Sequence, residues 1–355
     1  MEWNRRQFLV AGLAGPTLFA QQRQSAALID KGFGRVTELA PGLYVTIADP
    51  SKGSQCVSNG GVIAGRDAVL IVEGHMEPAG AALEIEAARM VSKAPIRGAV
   101  DTHFHLDHTF GNLAYAEQRI PILAHEKAKP MMQEQYGARK GTDKRSLLAP
   151  LEKRVVAAAN SEEKKRREED LASWKWMYDA IDAAALAFPT ESLTAAELPK
   201  RIDLGGITAV IEFHPGHTAT DVIVRVPERD VVFAGDLLFN RAYPVSIDAD
   251  MDAWRKALDV FSRYGPRTRF IPGHGPVCGL DTVQDQCALF DDLRAHAEKM
   301  ARAGATTEEA ERRYLVPERF RNYSIHSWDF TIGAAMRSYF ATLNRPVRRD
   351  EIHRW

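Results

Sequence analysis

The sequence predicts a layered α/β architecture with a pseudo-twofold plan, a helical insertion in its middle and further helices after it. Three observations carry this prediction. Strand-like and helical segments recur in two rounds, one on each side of a central stretch. That stretch, about residues 127–187, is rich in Lys, Arg, Glu and Ala and poor in strand formers. In both rounds, apolar strands run directly into turns that carry His or Asp, and open α/β folds build their sites at such strand ends.

Composition bounds the reading. The 355 residues suffice for one large α/β domain or two modest ones. A hydrophobic fraction of 45% and a charged fraction of 26% are ordinary for a soluble globular protein. The net charge of -1, from 46 basic and 47 acidic side chains, leaves no electrostatic footprint for nucleic acid or an anionic membrane. The three cysteines, Cys56, Cys278 and Cys287, allow at most one disulfide.

The chain divides into residues 1–25, 26–280 and 281–355. In the first part, Arg5-Arg6 precedes an apolar run from about Phe8 to Ala20, diluted by Gly12, Gly15 and Pro16. This run is shorter than the roughly 20 apolar residues that span a bilayer. A charged start, a short apolar middle and small Ala20 before Gln21-Gln22 read as a cleavable signal. The paired arginines followed by Phe-Leu resemble a bacterial twin-arginine export signal. The expectation is therefore a periplasmic protein with no stable membrane insertion after cleavage.

The elements follow in order. Val36 to Ala48 is strand-rich, with a turn at Pro41-Gly42. Residues 61–64 and 68–72 are β-type apolar runs separated by Gly65-Arg66-Asp67, which predicts a hairpin. Glu77 to Lys93 has apolar residues at helical spacing. Ile96 to Val100 is a strand, Leu113 to Gln118 a helix and Ile122 to Ala124 a strand. Within the insertion, Asn160 and Glu163 form a candidate capping box for a helix through Leu171, Trp174 and Tyr178. The β pattern returns in Ile207 to Phe213, Asp221 to Val226 and Asp230 to Ala234. Asp250 can cap a helix to Phe261, and Thr268 to Ile271 is a last strand. After Asp281 the chain is helical, ending in a basic tail.

The strongest chemical signal is Thr102-His103-Phe104-His105-Leu106-Asp107-His108. Four potential metal ligands fall within this run, immediately after an apolar strand. Zinc takes imidazole nitrogen and carboxylate oxygen at about 2.0–2.2 Å. In an extended segment residues i and i+2 point the same way, so His103 and His105 can share one ion. Asp107 and His108, beyond the turn, can reach a second. Packing three histidines and an aspartate together with no ion would bury unpaired polar groups at high cost. His217 in Pro215-Gly216-His217-Thr218, Asp236 in Ala234-Gly235-Asp236 and His274 in Gly273-His274-Gly275 each follow a predicted strand.

Taken in order, H-x-H-x-D-H, P-G-H-T, A-G-D and G-H-G resemble the motifs of the metallo-β-lactamase superfamily, over about Val36 to Gly279 without the insertion. The resemblance implies an αββα sandwich with the site at one edge between two sheets. It implies two Zn2+ per chain. His103, His105 and His217 would hold the first ion and Asp107, His108 and His274 the second, with Asp236 bridging. Zinc lowers the pKa of a bound water to about 7, so the expected chemistry is attack of a bridging hydroxide on an acyl or phosphoryl centre. Asp107 would orient it or carry a proton.

The bridging Asp236 resembles the thioester, lactone, phosphodiester and sulfate-ester hydrolases rather than lactamase branches with Cys or Ser at that place. Gly235 to Phe239 resembles the corresponding stretch of hydroxyacylglutathione hydrolases, but their basic C-terminal glutathione-binding signature has no counterpart that can be placed here. The oxygen-reducing di-iron branch has Glu where this chain has His105. The functional expectation is an exported zinc hydrolase of a small ester, thioester, lactone or lactam. The alternative is a periplasmic metal-binding or accessory protein on the same fold. Among weaker signals, His75 and His214 read as supporting rather than ligating. Asn59 and Asn112 read as turn supports, and His125, His296, His326 and His353 as surface or packing residues. Trp174, Trp176 and Tyr178 either pin the insertion or wall a substrate cleft.

Overall fold

The computed structural model describes residues 26–343. Residues 1–25, on which the expectation of an export signal falls, and the tail with His353 lie outside the described residues. Thirteen strands form two sheets among those residues. The first sheet runs in chain order from β1 (Ile29–Asp30) and β2 (Gly34–Ala40) through β3 (Leu43–Ala48), β4 (Gly60–Ala64) and β5 (Val69–Val72) to β6 (Ile96–Val100), β7 (Ile122–His125) and β8 (Glu191–Leu193). The second holds β9 (Lys200–Asp203), β10 (Thr208–Phe213), β11 (Val222–Val226), β12 (Val231–Phe239) and β13 (Arg269–His274), in the order 13-12-11-10-9.

Local chemistry explains the pairing. Gly42, at φ 76, supplies the left-handed residue that turns β2 back onto β3, pairing Ala40 with Leu43. β4 and β5 pair antiparallel across Gly65-Arg66-Asp67, as the sequence predicts. β5, with all four residues buried, leads through helix α1 (Pro78–Val91) into β6, which lies parallel beside it. A strand covered on both faces reads as a continuous apolar run, and a parallel partner needs such a crossover. The strand predicted at Asp230 to Ala234 extends to Phe239, and that extension carries Asp236 into the site.

Four layers result. Leu43, Ile63 and Leu70 of the first sheet pack against Ile211, Val224 and Phe233 of the second. The first sheet's other face buries Val62, Val69 and Ile71 against Leu83 and Ile85 of α1. Beyond α2 (Leu106–Thr109) and α3 (Leu113–Glu117), the insertion comprises α4 (Ala128–Met132), a π-helical turn over Gln133–Gly137, α5 (Lys144–Val156) and α6 (Ser161–Ala183). The second sheet's outer face is covered by α7 (Met251–Phe261) and α8 (Leu280–Arg302), with α9 (Thr307–Arg313) and α10 (Ala334–Thr342) packed behind. This is the αββα sandwich with a helical insertion and C-terminal helices.

The caps follow the sequence. Asp250 accepts from the Ala253 amide at the start of α7. Asn160 accepts from the Glu163 amide at the start of α6, but the Glu163 carboxylate takes the Ala159 amide instead of closing the box on Asn160. The insertion is fastened to the C-terminal helices by buried polar contacts. Trp174 Nε1 donates to Asp329 at 3.0 Å, the Asp329 amide donates to Asp170 at 3.0 Å and Arg167 pairs with Glu311 at 2.9 Å, while Arg337, from the C-terminal side, pairs with the same Asp329 at 2.8 Å. All three cysteines are free thiols. Among the described residues, no helix is long and apolar enough to cross a membrane.

Candidate metal centre

The site forms where both sheets end along one edge. β6 delivers the chain to Thr102, whose carbonyl accepts the Val222 amide of β11 at 2.7 Å and so ties the two sheets together. Next, His105 stands as the N-cap of the short α2, and Thr109 Oγ1 donates back to its carbonyl at 2.9 Å. This turn sends Asp107 and His108 away from His103 and His105. His217 sits in a turn after β10 organised by the buried Asp221 carboxylate, which accepts from the Gly216 amide, the Thr218 amide and Thr218 Oγ1 at 2.7–2.9 Å. Asp236 lies late in β12, behind Gly235 at φ 52, where a Cβ would come within 2.5 Å of Thr102 Oγ1. His274 ends β13. A Cβ at Gly273 would come within 1.8 Å of Asp236 Oδ1, so glycine there makes room for the carboxylate.

The seven side chains converge. One ligand atom from each of His103, His105 and His217 lies within 4.8 Å of the others, and the same holds for Asp107, His108 and His274. Asp236 stands between these sets. Its Oδ1 is 3.1 Å from His108 Nε2 and 3.4 Å from His274 Nε2, whereas its Oδ2 is 3.5 Å from His217 Nε2. One carboxylate thus turns an oxygen toward each set.

The outer partners of the rings fix which nitrogen faces inward. His217 Nδ1 donates to the Val245 carbonyl at 3.0 Å, and His105 Nε2 donates to Asp248 Oδ2 at 2.9 Å. With those protons assigned, His217 Nε2 and His105 Nδ1 face each other at 2.9 Å with lone pairs only, an arrangement a cation between them relieves. His108 Nδ1 is held by Glu73 Oε2 at 3.0 Å. His103 Nε2, His108 Nε2 and Asp236 Oδ1 are buried without a hydrogen bond, the 3.1 Å His108–Asp236 approach being misaligned for one. Orphaned buried atoms of this kind, all aimed at common centres, fit divalent cations with nitrogen and oxygen ligands.

The electrostatics divide the two sets. Burial and the neighbouring imidazoles hold His103 well below the ordinary histidine value. Burial also drives His217 down to about 3, against the pull of Asp236. In the other set burial opposes the charged forms, but carboxylates override it. Asp236, Glu73 and Asp107 hold His108 well above its usual value, and Asp236 and Asp107 raise His274 to about 10. Asp107 and Asp236 are in turn held low, despite burial, by His108 and His274.

The weaker sequence signals sort by contact. His75 is a supporting residue, buried between the Ser58 carbonyl at 3.1 Å and Glu84 at 3.0 Å. His214 lies 3.4 Å from Glu212, outside the ligand sets. Asn59 donates to the Pro272 and Gly275 carbonyls at 2.9 and 2.7 Å and so braces the His274 turn, while Asn112 donates to Asp101 at 2.8 Å. His125 stacks on Phe213, and His296 bonds the Ala310 carbonyl. His326 is exposed and packs beside Phe330, and it also lines the cavity over the site. Asp248, Asp221 and Glu73 lie in no His/Asp motif that singles them out in the sequence.

A cavity of about 610 Å³ opens onto Asp107, Asp236 and His274. Loop 50–57 forms one wall, the insertion contributes Tyr136, Trp176 and Met177, and the segment after β12 contributes Tyr243, Val245 and Ile247. Phe330 and His326 close it from the C-terminal side. The aromatic segment of α6 therefore does both things considered for it. Trp176 faces the cavity, while buried Trp174 bonds Asp329 and pins the insertion.

Sandwich and site together define a metal-binding protein of the hydrolase-bearing αββα class. The chain belongs to the metallo-beta-lactamase superfamily, whose family model matches residues 53–274. In sequence, it is 36% identical over 100 residues to an uncharacterized protein of Mycobacterium tuberculosis, a match covering 25% of this chain and 45% of that protein. It is 33% identical over 73 residues to a metallo-beta-lactamase type 2 of Bacteroides fragilis, covering 19% of this chain and 29% of the relative. The chain thus spans less than half the length of these curated relatives. In structure, a metallo-beta-lactamase from Pontibacter korlensis aligns with a TM-score of 0.53 at 17% identity, over 73% of this chain and 99% of that one. A stereoselective inverting sec-alkylsulfatase from Pseudomonas sp. aligns with a TM-score of 0.60 at 17% identity, over 87% of this chain and 50% of that one. At such identities the likeness shows the fold.

Proposed function

We propose that this protein is a zinc-dependent hydrolase of a small ester, thioester, lactone or lactam, with two ions held by His103, His105, His217 and by Asp107, His108, His274, and with Asp236 shared between them. The observation that carries the reading is the placement of Asp236, one oxygen toward each histidine set, at the floor of a substrate-sized cavity. Bound zinc supplies Lewis acidity, which polarises an acyl carbonyl and lowers the pKa of water.

The chain's own groups do the rest. Asp107 is the site carboxylate open to the cavity, about one-fifth exposed, with Oδ2 at 3.3 Å from His274 Nε2. It is placed to orient the attacking group by accepting its hydrogen bond. Glu73 and Asp248 orient His108 and His105 from outside. Trp176, Met177, Val245 and Phe330 exclude water around a bound substrate.

The test is Asp236→Ala, assayed for bound zinc and for hydrolysis of a panel of lactones, thioesters and a chromogenic lactam. The expected outcome is loss of at least one ion and a fall in kcat of about a thousandfold or more. Full activity in a metal-replete variant would overturn the shared-ligand role. Two bound ions with no turnover of any substrate by the unmodified protein would favour the accessory reading.

A further inference from the structure

We propose that the cavity selects uncharged substrates, namely acyl esters or lactones with an apolar chain, over compounds that carry a carboxylate or sulfate. This inference rests on the hydrolase reading above and narrows it. Among the described residues lining the cavity there is no Lys and no Arg. Arg241 does not line it, although both its neighbours, Asn240 and Ala242, do. The carboxylates present are Asp107 and Asp236 at the metal centre and Asp248, which is tied to His105; His105 and His274 line it as imidazoles of the centre itself. Away from the centre, the polar lining is Ser54, Gln135, Asn240, Ser324, the tyrosines Tyr136 and Tyr243 and the imidazole of His326, all without a fixed positive charge.

This lining decides between substrate classes. A carboxylate buried away from the centre would meet no cation and would sit against Trp176, Met177, Val245, Ile247 or Phe330. A carboxylate-bearing lactam and a glutathione-like thioester both carry such a charge. A sulfate ester presents several anionic oxygens, which proteins recognise with guanidinium forks or clustered cations, and this wall offers none. An alkyl chain, by contrast, removes apolar surface from water along the whole wall. A volume near 610 Å³ falls within the range of pockets that enclose drug-sized ligands, so a short acyl group would leave most of it unfilled.

The experiment uses the zinc-loaded protein and two readouts. Hydrolysis is compared across neutral p-nitrophenyl esters from butanoate to octanoate, the octanedioate half-ester with its free carboxylate, and octyl sulfate. In parallel, calorimetry measures binding of octanamide and of the octanedioic acid monoamide, which resist hydrolysis. The expected result is a rise in kcat/KM of about threefold per added methylene. The neutral octanoate should exceed the carboxylated ester by about thirtyfold or more, with the amides ranking the same way. Trp176→Lys, at a partly exposed wall position, should raise the carboxylated ester relative to the neutral one by about fivefold or more.

Equal or preferred handling of the carboxylated ester or of octyl sulfate would overturn the inference and leave the hydrolase reading standing. Tighter binding of the neutral amide without turnover of any ester would do the reverse, removing the hydrolase reading while the cavity's preference stands.

Discussion

Glu73 and His75 have positive φ, 84 and 58, at the edge of the metal centre. Such backbone costs about 1–3 kcal/mol per residue and persists only where the surroundings enforce it. Here Tyr115 donates to the Glu73 carbonyl at 2.6 Å, the Gly74 amide donates to the His108 carbonyl and the Gly111 amide donates to the His75 carbonyl. The result aims the Glu73 carboxylate at His108 Nδ1. Removing that acceptor in Glu73→Ala should weaken zinc binding by about 10–100-fold, read by competition with a chromophoric chelator. Glu73→Gln keeps an acceptor oxygen and should recover part of the loss; equal affinity in all three proteins would mean that Glu73 does not orient His108. The seven converging side chains are legible in the sequence because each sits in a short His/Asp motif after an apolar run. Their outer partners are not. Glu73 lies 35 residues from His108 and Asp248 lies 143 residues from His105, so only the folded chain pairs them.

At the scale of elements, the main strands and α1, α6 and α7 follow from apolar periodicity and from the caps at Asn160 and Asp250. β8 and β9, at three and four residues, are too short to leave a period and form because β7 and β10 offer edges. What holds the insertion in place is also invisible locally, since its charges read as a solvated helix face until Arg167, Asp170, Glu311, Asp329 and Arg337 meet in the interior. Burial alone would raise the Asp329 carboxyl, but Arg337 and Arg154 hold it well below its ordinary 3.8. Asp329→Ala strands a largely buried guanidinium and should cost about 3–5 kcal/mol in urea unfolding. A depressed carboxylate stabilises the fold above its unfolded pKa and loses that contribution as pH falls through the folded value. The advantage of the unmodified protein over Asp329→Ala should therefore shrink as pH drops below about 4. Asp170 and Glu311, raised by burial and also by the Asp329 carboxylate, titrate on the alkaline side of that window. A difference that stays constant or grows on the acid side would show that the Asp329 ion pair is not what fastens the insertion.

For the whole molecule, the decisive feature is that the centre straddles two sheets. His103, His105, Asp107 and His108 follow β6 of the first, while His217, Asp236 and His274 follow or belong to β10, β12 and β13 of the second. Protein contacts already join the halves there, through the Val222 amide on the Thr102 carbonyl and Asn59 on the Pro272 and Gly273 carbonyls. Bound ions would add crosslinks among side chains from both halves, and binding to the folded state alone stabilises it by about 4 kcal/mol when free metal exceeds Kd a thousandfold. Because the crosslinks run between sheets, the gain should be shared rather than confined to the H-x-H-x-D-H turn. Hydrogen exchange with and without a chelator reads this directly. Zinc should slow exchange at the amides of residues 103–109 and also at the ends of β12 and β13, some 130 to 170 residues away in sequence. Slowing in the first segment alone would mean that the ions sit on one sheet's loop and that Asp236 does not join the two sets.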